Sequence, residues 1–222
     1  MTERRPYPSD PSDARWALIA PRLTAWRQAR TDAGVSGHTP THDLRDIFDA
    51  ILYVNRTGIA WRYLPHDFPP CRTVYGYFAA WSKEGIFPEL NYQLTGLVRD
   101  HQGRTITPTA SIMDSQSVKT STYPTLAKTW VDAGFKNRVV EHGAALGVDV
   151  DVVTKDPHVK GFSVVKRRWV VERTLGWLMH HRRLVRDYET RPDNSASMIT
   201  IAMIDNLAKR LTTETTPTWR DD

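Results

Sequence analysis

Ala110-Ser111-Ile112-Met113-Asp114 is where the apolar period of this 222-residue chain changes. Ala110, Ile112 and Asp114 share one face and Ser111 and Met113 the other, which reads as a short strand with an acid at its end. Thr129-Trp130-Val131-Asp132 repeats the pattern and again ends on an acid. After Ala133-Gly134 a helix is predicted over Lys136 to Ala145, with Gly147 as its stop. Val148, Val150 and Val152 then alternate with Asp149 and Asp151 as a third strand. The loop Asp156 to Ser163 leads into KRRWVVERTLGWLMHHRRLVR, residues 166–186. Its Val170, Val171, Leu175, Leu178, Leu184 and Val185, with Trp169 and Trp177, recur at helical spacing without a proline, which predicts one amphipathic helix. Asn194 or Ser195 is expected to cap a last helix that turns Met198, Ile201, Ile204, Leu207 and Leu211 to the core. The tail from Thr212 is expected to fray.

Upstream of the change the pattern is helical. Asp10-Pro11 is a helix-start signal, and Trp16, Ile19, Ala20 and Leu23 fall on one face, with Trp16 read as core. Pro21 predicts a bend or stop, and residues 27–42, polar with Gly and Pro, read as a loop. Asp43 opens the clearest helix, with Leu44, Ile47, Phe48, Ile51 and Leu52 in one stripe and Gly58 as its stop. Ile59, Trp61 and Leu64 anchor a turn, and further helices are expected over Arg72 to Glu84 and Pro88 to Arg99. The fold class is therefore α+β. A helical domain over 1–105 precedes an α/β part over 106–212 and a flexible tail over 213–222.

Charge narrows the partners. The stretch 166–186 holds seven Lys or Arg and one acid, Glu172, so its net charge is +6 in a chain of +5. The pI near 9.4 with localised charge points to an anionic partner, most simply nucleic acid. No run of about 18 apolar residues suggests a membrane span, and the polar N-terminus has no signal core. The single cysteine, Cys71, excludes an internal disulfide or a Cys-rich zinc site and is read as buried rather than reactive. A cytoplasmic protein is expected. Helix, turn and helix over 43–84 are compatible with a helix-turn-helix DNA reader contacting DNA through Arg72, Thr73 or Tyr75.

Two acids that close strands and a third on a basic helix are the arrangement phosphoryl transfer requires. Three carboxylates supply hard oxygen ligands for Mg²⁺ or Mn²⁺, and two such ions about 3.5–4 Å apart clamp the attacking and leaving oxygens. On spacing alone the triple is weakly marked among 25 acids. Asp114 also reads as a turn acid, Asp132 as a helix cap, and Glu172 as the partner of Arg168 or Arg173. Asp149 and Asp151, alternating with valines, read as solvent-facing. His142, His158, His180 and His181 form no convincing metal set and read as basic-face or packing residues; the adjacent His180 and His181 cannot face one ion, since neighbouring helix positions diverge by about 100°.

SIMDSQSVKTS, WVDAGF and RRWVVERTLGWLMHHRRLVRDYE resemble the three signature blocks of bacterial insertion-sequence transposases with a DDE, ribonuclease-H-like core. HDLRDIFDAILYVNRTGIAWRYLPHDFPPCRTVYGYFAAWSKEGIF is similar to the helical N-terminal region of the same family. The resemblance implies a metal-dependent transposase in which Asp114, Asp132 and Glu172 ligate Mg²⁺ or Mn²⁺. Water would cleave at the element's ends and the freed 3′-hydroxyl would attack target DNA. The partners implied are double-stranded DNA, at insertion-sequence ends and target, and a second copy of the chain on that DNA. Lys166, Arg167, Arg168, Arg173, Arg182 and Arg183 are the phosphate-contact candidates of the basic stretch.

The chain departs from the family's pattern in one place. Asp114 and Asp132 are only 18 positions apart, where the family carries a much longer insert with two more strands and a helix. The chain thus reads as a member with an internal deletion and a shortened core. Parallel neighbours would need a crossover of about a dozen residues. Three functions follow: a transposase whose site still assembles, a non-catalytic DNA-binding remnant, or a basic helical interaction domain. Salt-sensitive DNA binding separates the third from the others, and metal-dependent cleavage separates the first two.

Overall fold

The computed structural model describes residues 4–34, 41–113, 126–132, 137–154, 158 and 169–215. The helices are α1 (Asp13–Asp32), α2 (Leu44–Thr57), α3 (Cys71–Lys83), α4 (Ile86–His101), α5 (Asn137–Ala145), α6 (Trp169–Leu178) and α7 (Pro192–Leu211). The strands are β1 (Ala110–Met113), β2 (Lys128–Asp132) and β3 (Asp149–Val153), and short 3-10 turns cover Trp61–Tyr63 and Arg182–Leu184. Helices dominate and the strands form one sheet, as the α+β reading requires. The chain divides into two compact units, residues 1–104 with 178–222 and residues 105–177. It returns to the helical unit at Leu178, whereas the sequence suggested an α/β part continuing to 212.

The helical unit is built around α2. The Asp43 carboxylate caps it by accepting from the Arg45 N–H at 2.8 Å. Its stripe, Leu44, Ile47, Phe48, Ile51 and Leu52, is fully buried. Gly58 ends it at φ 76°, and a Cβ there would lie 3.1 Å from the Cβ of Arg182, so both backbone angle and space favour glycine. Phe78 and Trp81 of α3, Leu90 and Leu94 of α4, and Met198, Ile201, Ile204 and Leu207 of α7 complete the same core. Trp16 packs against it with its ring 6.1 Å from that of Phe48, and Cys71 is half-buried.

Two expectations about α1 are corrected. The helix runs through Pro21 to Asp32, so neither a stop at Pro21 nor a loop from 27 is present. A mid-helix proline costs about 3 kcal/mol. Against it stand the buried Ile19, Leu23 and Trp26, each contributing about 1.5–3 kcal/mol. Trp26 Nε1 also donates to Glu84 at 2.6 Å, and Arg30 pairs with the same carboxylate at 2.7 Å. Pro21 itself is exposed on α1.

α7 begins at Pro192, before the expected Asn194 or Ser195, because proline suits the first helical position. Its Asp205 carboxylate, 1% exposed, meets Arg15 of α1 at 2.8 Å, Lys209 at 2.5 Å and His181 Nε2 at 3.6 Å. Burial lowers the pKa of Lys209, and Asp205 partly restores it. Burial drives His181 down to about 3 against the pull of Asp205, so this imidazole is neutral at physiological pH. Beyond α7, Glu214 accepts from Ser12 Oγ at 2.5 Å and faces Arg15 Nε at 2.9 Å, so fraying does not begin at Thr212. At the other end, Arg4 bridges Asp10 at 2.7 Å and Asp49 at 2.9 Å. Burial, then the nearby Asp10, raises Asp49 to about 7.

In the α/β unit, β1 pairs with β2 in parallel from Ala110↔Lys128 to Met113↔Val131. Strand β2 pairs with β3 in parallel from Lys128↔Asp149 to Asp132↔Val153. The connection between β2 and β3 runs through α5. Gly143 admits α5 against β3, since a Cβ there would meet Val150 Cγ2 at 2.2 Å. Thr129 and Val131 are buried, and the Thr129 hydroxyl bonds that of Ser111 at 2.8 Å. Asp149 and Asp151 are solvent-facing, as expected; Asp149 engages Lys128 at 2.5 Å, and Asp151 accepts from the Trp130 indole Nε1 at 3.1 Å.

The single helix expected over 166–186 is also corrected. α6 ends at Leu178, whose carbonyl accepts the His181 N–H at 2.9 Å, and a 3-10 turn follows. The break lets His181 and Arg183 enter the helical unit, where both are buried.

Replacing Asp205 by Ala leaves Arg15 and Lys209 buried without their carboxylate and is expected to cost about 3–5 kcal/mol in urea unfolding. A loss below about 1 kcal/mol would contradict a central role for the pair. The pH dependence has two opposed parts. His181 contributes stability that is present above its unfolded pKa of 6.5 and is lost as pH falls toward about 3. Protonated Asp49 contributes stability that is lost as pH rises from 3.8 through about 7. Asp49→Asn is therefore expected to gain on the wild type between about pH 5 and about pH 8, read as urea midpoints; parallel profiles would overturn it.

Candidate active site and nucleic-acid interface

Asp114, Lys166, Arg167 and Arg168 lie outside the described residues. Asp132 closes β2 in register with Val153, one step beyond the Met113↔Val131 pair. Glu172 stands on the exposed surface of the first turn of α6 and makes no ion pair among the described residues. The expected pairing of Glu172 with Arg173 does not occur. The Arg173 guanidinium lies 4.3 Å over the Trp169 ring and 4.7 Å over that of Trp177, the neighbours four residues to either side. Among the described residues no group of three His, Cys, Asp or Glu is gathered for a metal ion. The histidines also stay apart in character, with His181 buried and His142, His158 and His180 exposed.

The DNA-contact candidates divide. Arg72 is exposed in the first turn of α3, Thr73 is half-buried, and Tyr75 is 39% exposed, its ring edge-on to Trp61 at 5.3 Å. Residues 58–70, with their 3-10 turn, separate α2 from α3, whereas a helix-turn-helix uses a turn of about 3–4 residues. Arg182 is exposed. Arg183 is corrected as a phosphate contact. It is 7% exposed, donates to Glu189 Oε1 from Nε and NH2 at 2.9 and 2.7 Å, and donates from NH1 to the Ile59 carbonyl at 2.9 Å. A guanidinium so committed is a strut that holds the segment after α6 against the end of α2.

Sequence reasoning passed over a cleft of about 590 Å³ between α3 and α7, lined among others by Tyr75, Lys83, Arg191 and Asn194. Lys83 could have been found from its spacing to Arg72, three helical turns along one face. Arg191 carries no such signal, because only the packing of α7 on α3 brings it there.

Residues 12–91, from α1 into the second turn of α4, match the family described as "Putative transposase of IS4/5 family". The chain is similar to that family over part of its helical unit, and the match stops before the sheet. No curated protein and no solved structure matches the chain.

Arg183→Ala is expected to lower stability by about 3 kcal/mol, because the 8%-exposed Glu189 loses its partner. Duplex affinity, measured on the folded fraction, should not change. A stable variant with weakened DNA binding would restore Arg183 as a phosphate contact.

Proposed function

We propose that this chain is an insertion-sequence transposase that binds duplex DNA and carries out metal-dependent strand cleavage and transfer. The likeness of residues 12–91 to IS4/5 transposases supports the class. The observation that carries the chemistry is the parallel pairing of β1 and β2, with Met113 opposite Val131. Asp132 follows Val131 on β2, and Asp114 is the next residue after Met113 in the sequence. Adjacent strands run about 4.8 Å apart. This pairing supports a reading in which Asp114 and Asp132 act together, and Glu172 belongs to α6, which follows the sheet in the chain.

The donor set is all carboxylate oxygen, which suits Mg²⁺ or Mn²⁺ and disfavours softer metals. Asp114, Asp132 and Glu172 would hold the ions. When bound, such ions polarise the scissile phosphate and lower the pKa of an attacking water or 3′-hydroxyl. The reaction is hydrolysis of a phosphodiester at the element's end, followed by transesterification by the freed 3′-hydroxyl on target DNA. Arg173, held between two indole rings, keeps a guanidinium on the helix face beside Glu172, and such a fixed cation is suited to a phosphate oxygen. The core would be a shortened ribonuclease-H-like sheet in which residues 114–127 replace a longer insert. The protein would act in the cytoplasm, as an oligomer on the DNA ends.

The test is cleavage of a duplex carrying the sequences that flank the chain's own gene, with Mg²⁺ or Mn²⁺. Cleavage that falls to background in Glu172→Gln and Asp132→Asn, with duplex affinity retained, is the expected result. Duplex binding without metal-dependent cleavage in the wild type would mark a non-catalytic remnant and overturn the catalytic reading.

A further inference from the structure

The helical unit neutralises many of its own cations. Arg4, Arg15, Arg22, Arg30, Arg45 and Arg183 all pair with carboxylates. Arg72, Lys83 and Arg191 are exposed and make no ion pair among the described residues. These three share one region. Arg72, Tyr75, Ala79 and Lys83 follow one another at three- and four-residue steps along α3, while Val74, Phe78 and Trp81 of the same helix enter the core. Tyr75 Oη accepts from Asn194 Nδ2 of α7 at 3.4 Å, and the hydroxyls of Ser82 and Ser197 meet at 2.7 Å. These two links join the walls of the cleft of about 590 Å³, into which Lys83 and Arg191 bring positive charge.

The lining distinguishes the occupant. Small-molecule sites are walled mainly by large apolar and aromatic groups. Here Tyr75 is the one aromatic lining residue, and alanines, serines, Thr200 and Asn194 make up much of the rest. Asp193 is the one acid of the lining, and it sits in the first turn of α7, where a carboxylate offsets the helix dipole. Small polar walls flanked by unpaired cations suit a sugar–phosphate chain, whose oxygens accept from Lys, Arg and Asn.

We propose that duplex DNA lies along the outer face of α3 and that one strand's backbone enters the α3–α7 cleft, with Lys83 and Arg191 on its phosphates. This rests on the DNA-binding part of the function proposed above, and it adds a surface that joins the segment after the α/β unit to the N-terminal helices.

The experiment is fluorescence anisotropy of the full chain with a labelled duplex of unrelated sequence across a salt series. Phosphate contacts are sequence-independent, so the element's own ends are not required. Lys83→Ala and Arg191→Ala are each expected to weaken binding and to reduce the slope of log K against log salt by about one, and the double variant by about two. Arg22→Ala removes the same charge from a residue already paired with Glu89 and should leave the slope unchanged. Thermal melts of each variant confirm that these exposed substitutions leave the fold intact. Slopes unaltered in a protein that binds duplex, or lowered equally by Arg22→Ala, would overturn the cleft and leave DNA binding standing. A wild type without duplex affinity would overturn both.

Discussion

The buried carboxylate of Asp205 is the constraint on which the helical unit depends. A charge 1% exposed is tolerable only when cations meet it at hydrogen-bond distance, and here Arg15 at 2.8 Å and Lys209 at 2.5 Å do so. Arg15 comes from the first helix and Asp205 from the last, so satisfying one carboxylate binds the two ends of the chain together. Neutral His181 fills the remaining side without adding a third cation. Glu214 extends the same arrangement by answering Arg15 from beyond α7. The apolar seam of α7 then has a fixed rotation, with Met198, Ile201, Ile204 and Leu207 toward α2 and α4.

That closure explains the order of units along the chain. Because α7 belongs with α1 to α4, residues 105–177 are an insertion between two parts of one helical body. The acids proposed for catalysis all fall in the inserted segment. Many of the fixed charges that build the helical body are spent on one another, as in Arg30 with Glu84 and Arg183 with Glu189. The cations left over are therefore informative in a way that total charge is not. Arg183, inside the densest basic run, is structural, while Arg191, outside that run, lines a cleft and makes no ion pair among the described residues.

How much was legible in the sequence varied with the range of the forces involved. The α2 stripe, its Asp43 cap and its Gly58 stop were readable because all three act within one element. The strands 110–113, 128–132 and 149–153 were readable from their alternation, and the exposure of Asp149 and Asp151 from their place among valines. Pro21 misled because its local cost was weighed without the tertiary burial of Ile19, Leu23 and Trp26. The helix of 166–186 was read too long because spacing cannot show that His181 will bury against Asp205. Asp132 was legible as an acid at a strand end and Glu172 as the acid of a basic helix, but what packs near either is not encoded in spacing.

The sequence by itself determined the α+β class, the change of period near residue 110, the helix starts and stops that local chemistry dictates, and an excess of positive charge. These follow from side-chain periodicity and capping, which act over a few residues. Only the tertiary structure decided that β1 and β2 are parallel neighbours, that α7 closes on α1, and which arginines are neutralised. Those outcomes depend on groups far apart in the chain, such as Arg15 and Asp205, whose interaction exists only once burial has excluded water from between them.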